Sequence, residues 1–189
     1  CNQTCCEYFV TQIVSYHQRV AVIFARGQLL TLRYQHSPTL SDQLAVGQSP
    51  RVLLKVSEPG CKAAIWDRHP LASFQTWINA LSEELLPQAR LILRPAAVHT
   101  AVTHLCDQID TPACQERDML IGDVAALAHM FSDIASAEYI RLSLSLDSTL
   151  PGNTPDQSTS SLKMLCMYRG PCIEVLPKCG VRNAPTAVP

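Results

Sequence analysis

The chain has 189 residues, 47% of them hydrophobic, and carries 15 basic against 16 acidic side chains for a net charge of −1. That length and apolar content suit one folded domain with a real core and argue against disorder. The balanced charge offers no basic field to gather nucleic acid or anionic lipid. The longest uninterrupted apolar run, Val20 to Ala25, is far short of the roughly 20 residues a membrane helix needs, so neither nucleic acid nor a membrane span is expected.

Nine cysteines are many for this length, and an odd number cannot all pair within one chain. They show no framework spacing, and several sit in apolar segments where a free thiol acts as a small hydrophobe. A reducing, cytoplasmic setting is therefore expected, with a secreted, disulfide-bonded structural subunit as the alternative.

In chain order, residues 8–34 are rich in Val, Ile, Phe, Tyr and Thr and break at Arg26-Gly27-Gln28, which predicts a β-hairpin. Ser37-Pro38 and Gly47-Gln48-Ser49-Pro50 punctuate a polar connector, so residues 1–47 read as an N-terminal extension and 48–176 as the main domain. "CKAAIWDRHP" (Cys61 to Pro70) reads as a short strand ending in a turn. Pro70 suits the first turn of a helix whose Phe74, Ile78, Leu81 and Leu85 share a face, closed by Pro87. A second helix is predicted over Ala96 to Ile109 and a third over about Gln115 to Ile134, with Val124, Leu127, Ala128 and Phe131 as its buried stripe.

The period then switches to two. In "YIRLSLSLD", Ile140, Leu142, Leu144 and Leu146 point one way and Arg141, Ser143 and Ser145 the other, as in a half-buried strand. Ser148 to Ser161 is all turn and hydroxyl residues and reads as a loop; long loops of this kind are often functional. Leu162 to Tyr168 returns as a strand, and 177–189 reads as a loosely held tail. The order predicts an α+β fold, with N-terminal helices packed on a mostly antiparallel sheet and a distorted double-stranded β-helix, oxygenase- or cupin-like, as its alternative form.

Four stretches, "VLLKVSEPGCKAAIWDRHPLASFQTWINAL", "IGDVAALAHMFSDI", "YIRLSLSLD" and "LKMLCMYRGP", together resemble the bacterial family called domain of unknown function 1826, over roughly residues 48 to 176. Members often bear a succinylglutamate desuccinylase label, an inherited name. The resemblance implies a Cys-x-x-Phe-His-x-Asp pattern in the loop before the Tyr-Arg-Gly-Pro strand and a later His-Arg-Ser-Pro-like segment. His-x-Asp with a distant His looks like the facial triad of a non-haem iron oxygenase. This chain departs from that pattern. In register from Tyr168, Asp156 stands at the pattern's His and Ser158 at its Asp. Val181, in "VRNAP", stands where the later His belongs, and no histidine follows His129. Imidazole nitrogens give such a site its affinity, so the resemblance implies an oxygenase-like scaffold with a degenerate metal site.

Other clusters compete for attention. "HLCDQIDTPAC" (His104 to Cys114) looks like a metal box. On a helix, though, His104 and Asp107 share one side and Cys106 and Asp110 another, which favours a capped helix end. Cys166, Cys172 and Cys179 offer a three-thiolate zinc site, although their spacings are wider than those of usual zinc pairs. A disulfide between Cys172 and Cys179 is a further alternative, while Cys166, alternating with Met164 and Leu162, reads as core. The "CNQTCC" start lacks a third thiol at cluster spacing. No Gly-x-Ser-x-Gly elbow, His-Glu-x-x-His or phosphate loop occurs.

In the Tyr-Arg-Gly-Pro turn, Gly170 and Pro171 fix the backbone so that Arg169 projects a guanidinium from a rigid mount. Its target is an anion, or a structural partner such as Glu174 or Asp147. The expected function is binding or regulation more than catalysis. The pocket is expected between the 148–161 loop and Arg169, with Tyr168, Arg169, Asp156 and Ser158 as ligand-binding residues and a small acid or a protein as partner. No cofactor is expected, zinc or iron standing as the alternatives.

Overall fold

The computed structural model describes residues 7–12, 20–26, 44–61, 63–146 and 162–169. Seven strands form one sheet: β1 (Glu7–Gln12), β2 (Val20–Arg26), β3 (Leu44–Gly47), β4 (Ala63–Arg68), β5 (Ala89–Leu93), β6 (Ile140–Ser145) and β7 (Leu162–Met167), in the order β3-β4-β2-β7-β1-β6-β5. Three helices connect them: α1 (Ala72–Ala80), α2 (Pro95–Gln108) and α3 (Gln115–Ala135). Two 3-10 segments, Pro50–Ser57 and Glu83–Leu85, complete the described elements. The class is α+β.

The sheet is mixed, which corrects the antiparallel expectation. β1 runs parallel to both β6 and β7, and β3 parallel to β4; β2 is antiparallel to β4 and β7, and β5 to β6. A double-stranded β-helix would place two antiparallel sheets face to face, whereas the described strands make one sheet with three parallel pairings. The cause is the N-terminal segment. β1 and β2 do not pair with each other as a hairpin; each lies beside β7, so strands from the start of the chain occupy the middle of the sheet. Parallel neighbours need long crossovers, and the chain between β1 and β6 is long enough to hold every described helix.

The helices follow their local signals. Pro95 occupies the first turn of α2, where its missing N–H costs nothing, and Ser136 ends α3 in the left-handed conformation at φ 52°. α1 is shorter than its periodicity predicts. Leu81 is its C-cap, and Leu85 belongs to a separate 3-10 turn. α3 packs against α1, α2, β1 and β6. Its stripe of Leu120, Val124, Leu127, Ala128 and Phe131 is buried against Ile140, Leu142 and Leu144, the alternating inner residues of β6. The described β-strand Ala89–Leu93 and the 3-10 segment at Pro50–Ser57, which buries Val52, Leu53 and Val56, are elements that sequence patterning does not reveal. Among the described residues, no helix is long and apolar enough to cross a membrane.

Candidate functional site

Three elements far apart in sequence meet at one place. β4 ends at Arg68, α3 presents Asp123 from its middle, and β7 runs out at Tyr168. The Arg68 guanidinium grips Asp123 in a fork, Nη1 donating to Oδ2 at 2.9 Å and Nη2 to Oδ1 at 2.5 Å. The Tyr168 hydroxyl donates to the same Oδ2 at 2.6 Å. Arg68 also stacks on Trp66, its guanidinium carbon 4.6 Å from the ring centroid, which fixes the plane of the fork. Phe74 of α1 packs edge-on against Tyr168, their centroids 6.1 Å apart.

This network borders a pocket of about 480 Å³, within the roughly 300–1,000 Å³ of small-molecule sites. Its lining is Arg68, His69, Pro70 and Leu71 from the β4–α1 corner, Phe74 from α1, Tyr168, and Met119, Gly122, Asp123 and Ala126 from α3. The four α3 residues follow the i, i+3, i+4, i+7 pattern of one helix face. Phe74 and Tyr168 are buried and form the floor, while His69, Leu71 and Ala126 are exposed at the rim. Gly122 is unusual in this wall. A mid-helix glycine costs about 1 kcal/mol relative to alanine, yet a Cβ at this position would meet nothing within 4 Å. Packing does not require the glycine; it leaves the pocket wider.

The electrostatics hold protons in place. Burial would lower the pKa of Arg68, but the bonded Asp123 carboxylate outweighs it and the guanidinium stays firmly charged. Tyr168 is raised well above its ordinary value, first by burial, then by Cys166 and Asp123. Cys166, fully buried on β7, is pushed up to about 12 by burial, with Asp123 adding to the shift. Buried in the core, this thiol is held in its protonated form.

The residues singled out from sequence fare unequally. Tyr168 belongs to the pocket. Arg169 does not line it: its Nη1 donates to the Leu81 carbonyl at 2.9 Å, capping the C-terminal end of α1, where a cation is favourable. Asp156, Ser158, Cys172 and Cys179 lie outside the described residues, as do the 148–161 loop, Val181, the "CNQTCC" start, and Asp147 and Glu174. The His104–Cys114 cluster is a helix junction. Arg117 ties Asp107 of α2 to α3 and donates to the Thr111 carbonyl at 3.2 Å, while Cys114 Sγ caps α3 by accepting from the Arg117 amide. Among the described residues, no group of three or more His, Cys, Asp or Glu side chains is placed to hold a metal ion. Cys61, Cys106, Cys114 and Cys166 are free thiols.

Sequence reasoning missed Arg68, His69 and Asp123. A signal was present, because Asp123 lies three residues after Leu120 and four before Leu127, a carboxylate at the edge of an otherwise apolar stripe.

The sequence model of the family described as Protein of unknown function (DUF1826) matches residues 47–188, three-quarters of the chain. The chain belongs to this family. Comparison with curated proteins and with solved structures yields no match. The DUF1826 match covers the stretches that supply Arg68, Asp123 and Tyr168, and it carries no desuccinylase activity with it.

Proposed function

We propose that this DUF1826 member is a small-molecule binding protein, regulatory more than catalytic, whose ligand occupies the Arg68–Asp123–Tyr168 pocket. The observation that supports this is the closed network at the pocket wall. Asp123 already accepts three bonds, and Arg68, Tyr168 and Cys166 all keep their protons more firmly than usual. General acid–base and nucleophilic catalysis need a group poised near the working pH, and the three groups of this network are displaced away from it; His69 stands outside the network, at the exposed rim. A rigid polar wall beside apolar Leu71, Phe74 and Met119 suits recognition instead.

The proposal retains the degenerate metal centre implied by the family pattern, in which Asp156 and Ser158 replace the expected donors. Purified protein should hold well under one iron or zinc per chain by elemental analysis. The binding test is a fragment screen on the intact chain by ligand-observed NMR, repeated on Met119→Trp, whose indole fills the pocket. Hits lost in Met119→Trp support the proposal. Hits retained in full, or no hits at all, overturn it.

A further inference from the structure

The geometry points to a slim monocarboxylate as the ligand of this pocket, with Gly122 setting the width of the body it admits. This inference rests on the binding reading above and goes beyond it by naming the ligand class and the residue that selects within it.

Charge argues for the carboxylate. Arg68 is the pocket's fixed cation and has five N–H donors, of which Asp123 takes two. A planar acid matches the donor geometry of a guanidinium whose plane is already fixed by Trp66 beneath it. The pocket's one acidic side chain, Asp123, is committed to three donors, so it does not compete for a ligand cation. Its charge still acts on whatever binds across the guanidinium. A monocarboxylate meets that repulsion with a single charge, whereas a phosphate dianion would meet about twice as much.

Shape argues for Gly122. On α3 it lies between Met119 and Ala126 on the pocket face, with open space where its Cβ would stand. A Cβ added there would stand on the pocket wall without displacing a neighbour, and a longer side chain grows from that point. Ala126, one turn further and exposed, narrows the same wall when enlarged. The apolar floor of Phe74 and the flank of Leu71 then receive a narrow aliphatic or single-ring body.

The test uses the intact chain and four probes of similar size: hexanoate, benzoate, hexanol and phenyl phosphate. Binding is read by isothermal titration and ligand-observed NMR. For the wild type, hexanoate or benzoate should bind at least about tenfold more tightly than hexanol and phenyl phosphate. Gly122→Ala, which adds only a Cβ, should weaken that binding less than either leucine change. Gly122→Leu and Ala126→Leu should each weaken it tenfold or more, with helicity and thermal midpoint at or above wild type. Unchanged carboxylate affinity in Gly122→Leu overturns the width role, and a preference for hexanol or phenyl phosphate overturns the carboxylate. If another fragment class binds and is lost in Met119→Trp, the pocket remains a binding site and only this inference fails. If nothing binds there, both fail.

Discussion

α3 takes part in two arginine–aspartate pairs, and the difference between them separates a site from a staple. Near its start, Arg117 holds Asp107 across ten residues of sequence; from its middle, Asp123 is held by Arg68 across fifty-five. Each pair has a buried cysteine beside it, Cys106 in the first case and Cys166 in the second, and burial raises both thiols. Around Arg117, the Thr111 carbonyl and the α2–α3 corner fill the remaining space, and Asp107 is turned out to water with 55% of its side chain exposed. Around Arg68, both partners are about one-fifth exposed, and that exposure opens onto a pocket. An arginine–carboxylate pair therefore says little about role by itself. What the rest of the guanidinium faces decides it.

Alkaline titration should distinguish the two regions most strongly. In the unfolded chain the Cys166 thiol loses its proton near 9.0, while in the folded protein it keeps it to about 12. Between those values the unfolded state binds fewer protons, so stability falls as pH rises. It is whole below pH 9 and lost progressively toward 12, by up to about 4 kcal/mol for a three-unit shift. Tyr168 adds a loss of the same sign above its ordinary value, and Cys106 a further one. Urea unfolding at pH 8 and pH 10.5 checks this. Cys166→Ala should flatten the fall much more than Cys106→Ala does, and an equal flattening would mean that the two surroundings do not differ as described.

Removing the carboxylates comes next. Asp123→Ala leaves Arg68 largely enclosed without its counter-charge and strips Tyr168 of its acceptor, an expected loss of about 3 kcal/mol. Asp107→Ala removes a mostly solvated partner, and Arg117 keeps the Thr111 carbonyl, so the cost should be about 1 kcal/mol. The double change Arg68→Met with Asp123→Leu should recover much of the first loss, since no unpaired charge remains, yet abolish ligand binding. Denaturant midpoints that rank the two single variants the other way would reverse the assignment of site and staple.

Legibility followed the range of the interactions. The α3 stripe and the alternation of β6 are local periodicities, and the structure reproduces both. β5, at the sheet edge, alternates half-buried Ala89, Leu91 and Leu93 with exposed Arg90 and Ile92, and the apolar Ile92 on the outer face hides that period of two in "ARLIL". The insertion of β1 between β6 and β7 joins segments more than 130 residues apart, which no window of sequence contains. Tyr168 could be picked out because a Tyr-Arg-Gly-Pro turn is conspicuous, but the conspicuous arginine is the helix cap. Arg68 in "WDRHP" looks like an ordinary strand end until Asp123 is seen opposite. Conversely, "HLCDQIDTPAC" is dense in potential ligands because a helix end, a turn and a helix start each need polar groups within a few residues.

That last cluster yields the smallest prediction and the one that most directly separates capping from coordination. Cys114 stands at the N-cap of α3 in extended conformation, and its sulfur accepts from the Arg117 amide at 3.5 Å. Sulfur is a weak acceptor, whereas serine is among the best N-cap residues, its shorter hydroxyl closing the same bond. Cys114→Ser should therefore stabilise the protein by roughly 0.5 kcal/mol, seen as a small rise in denaturant midpoint with an unchanged slope. A metal ligand at this position would behave in the opposite sense, because a hydroxyl is a poor substitute for a thiolate and its loss would lower both metal content and stability. The sign of one small shift thus tells whether the densest run of donors in the chain serves an ion or a helix.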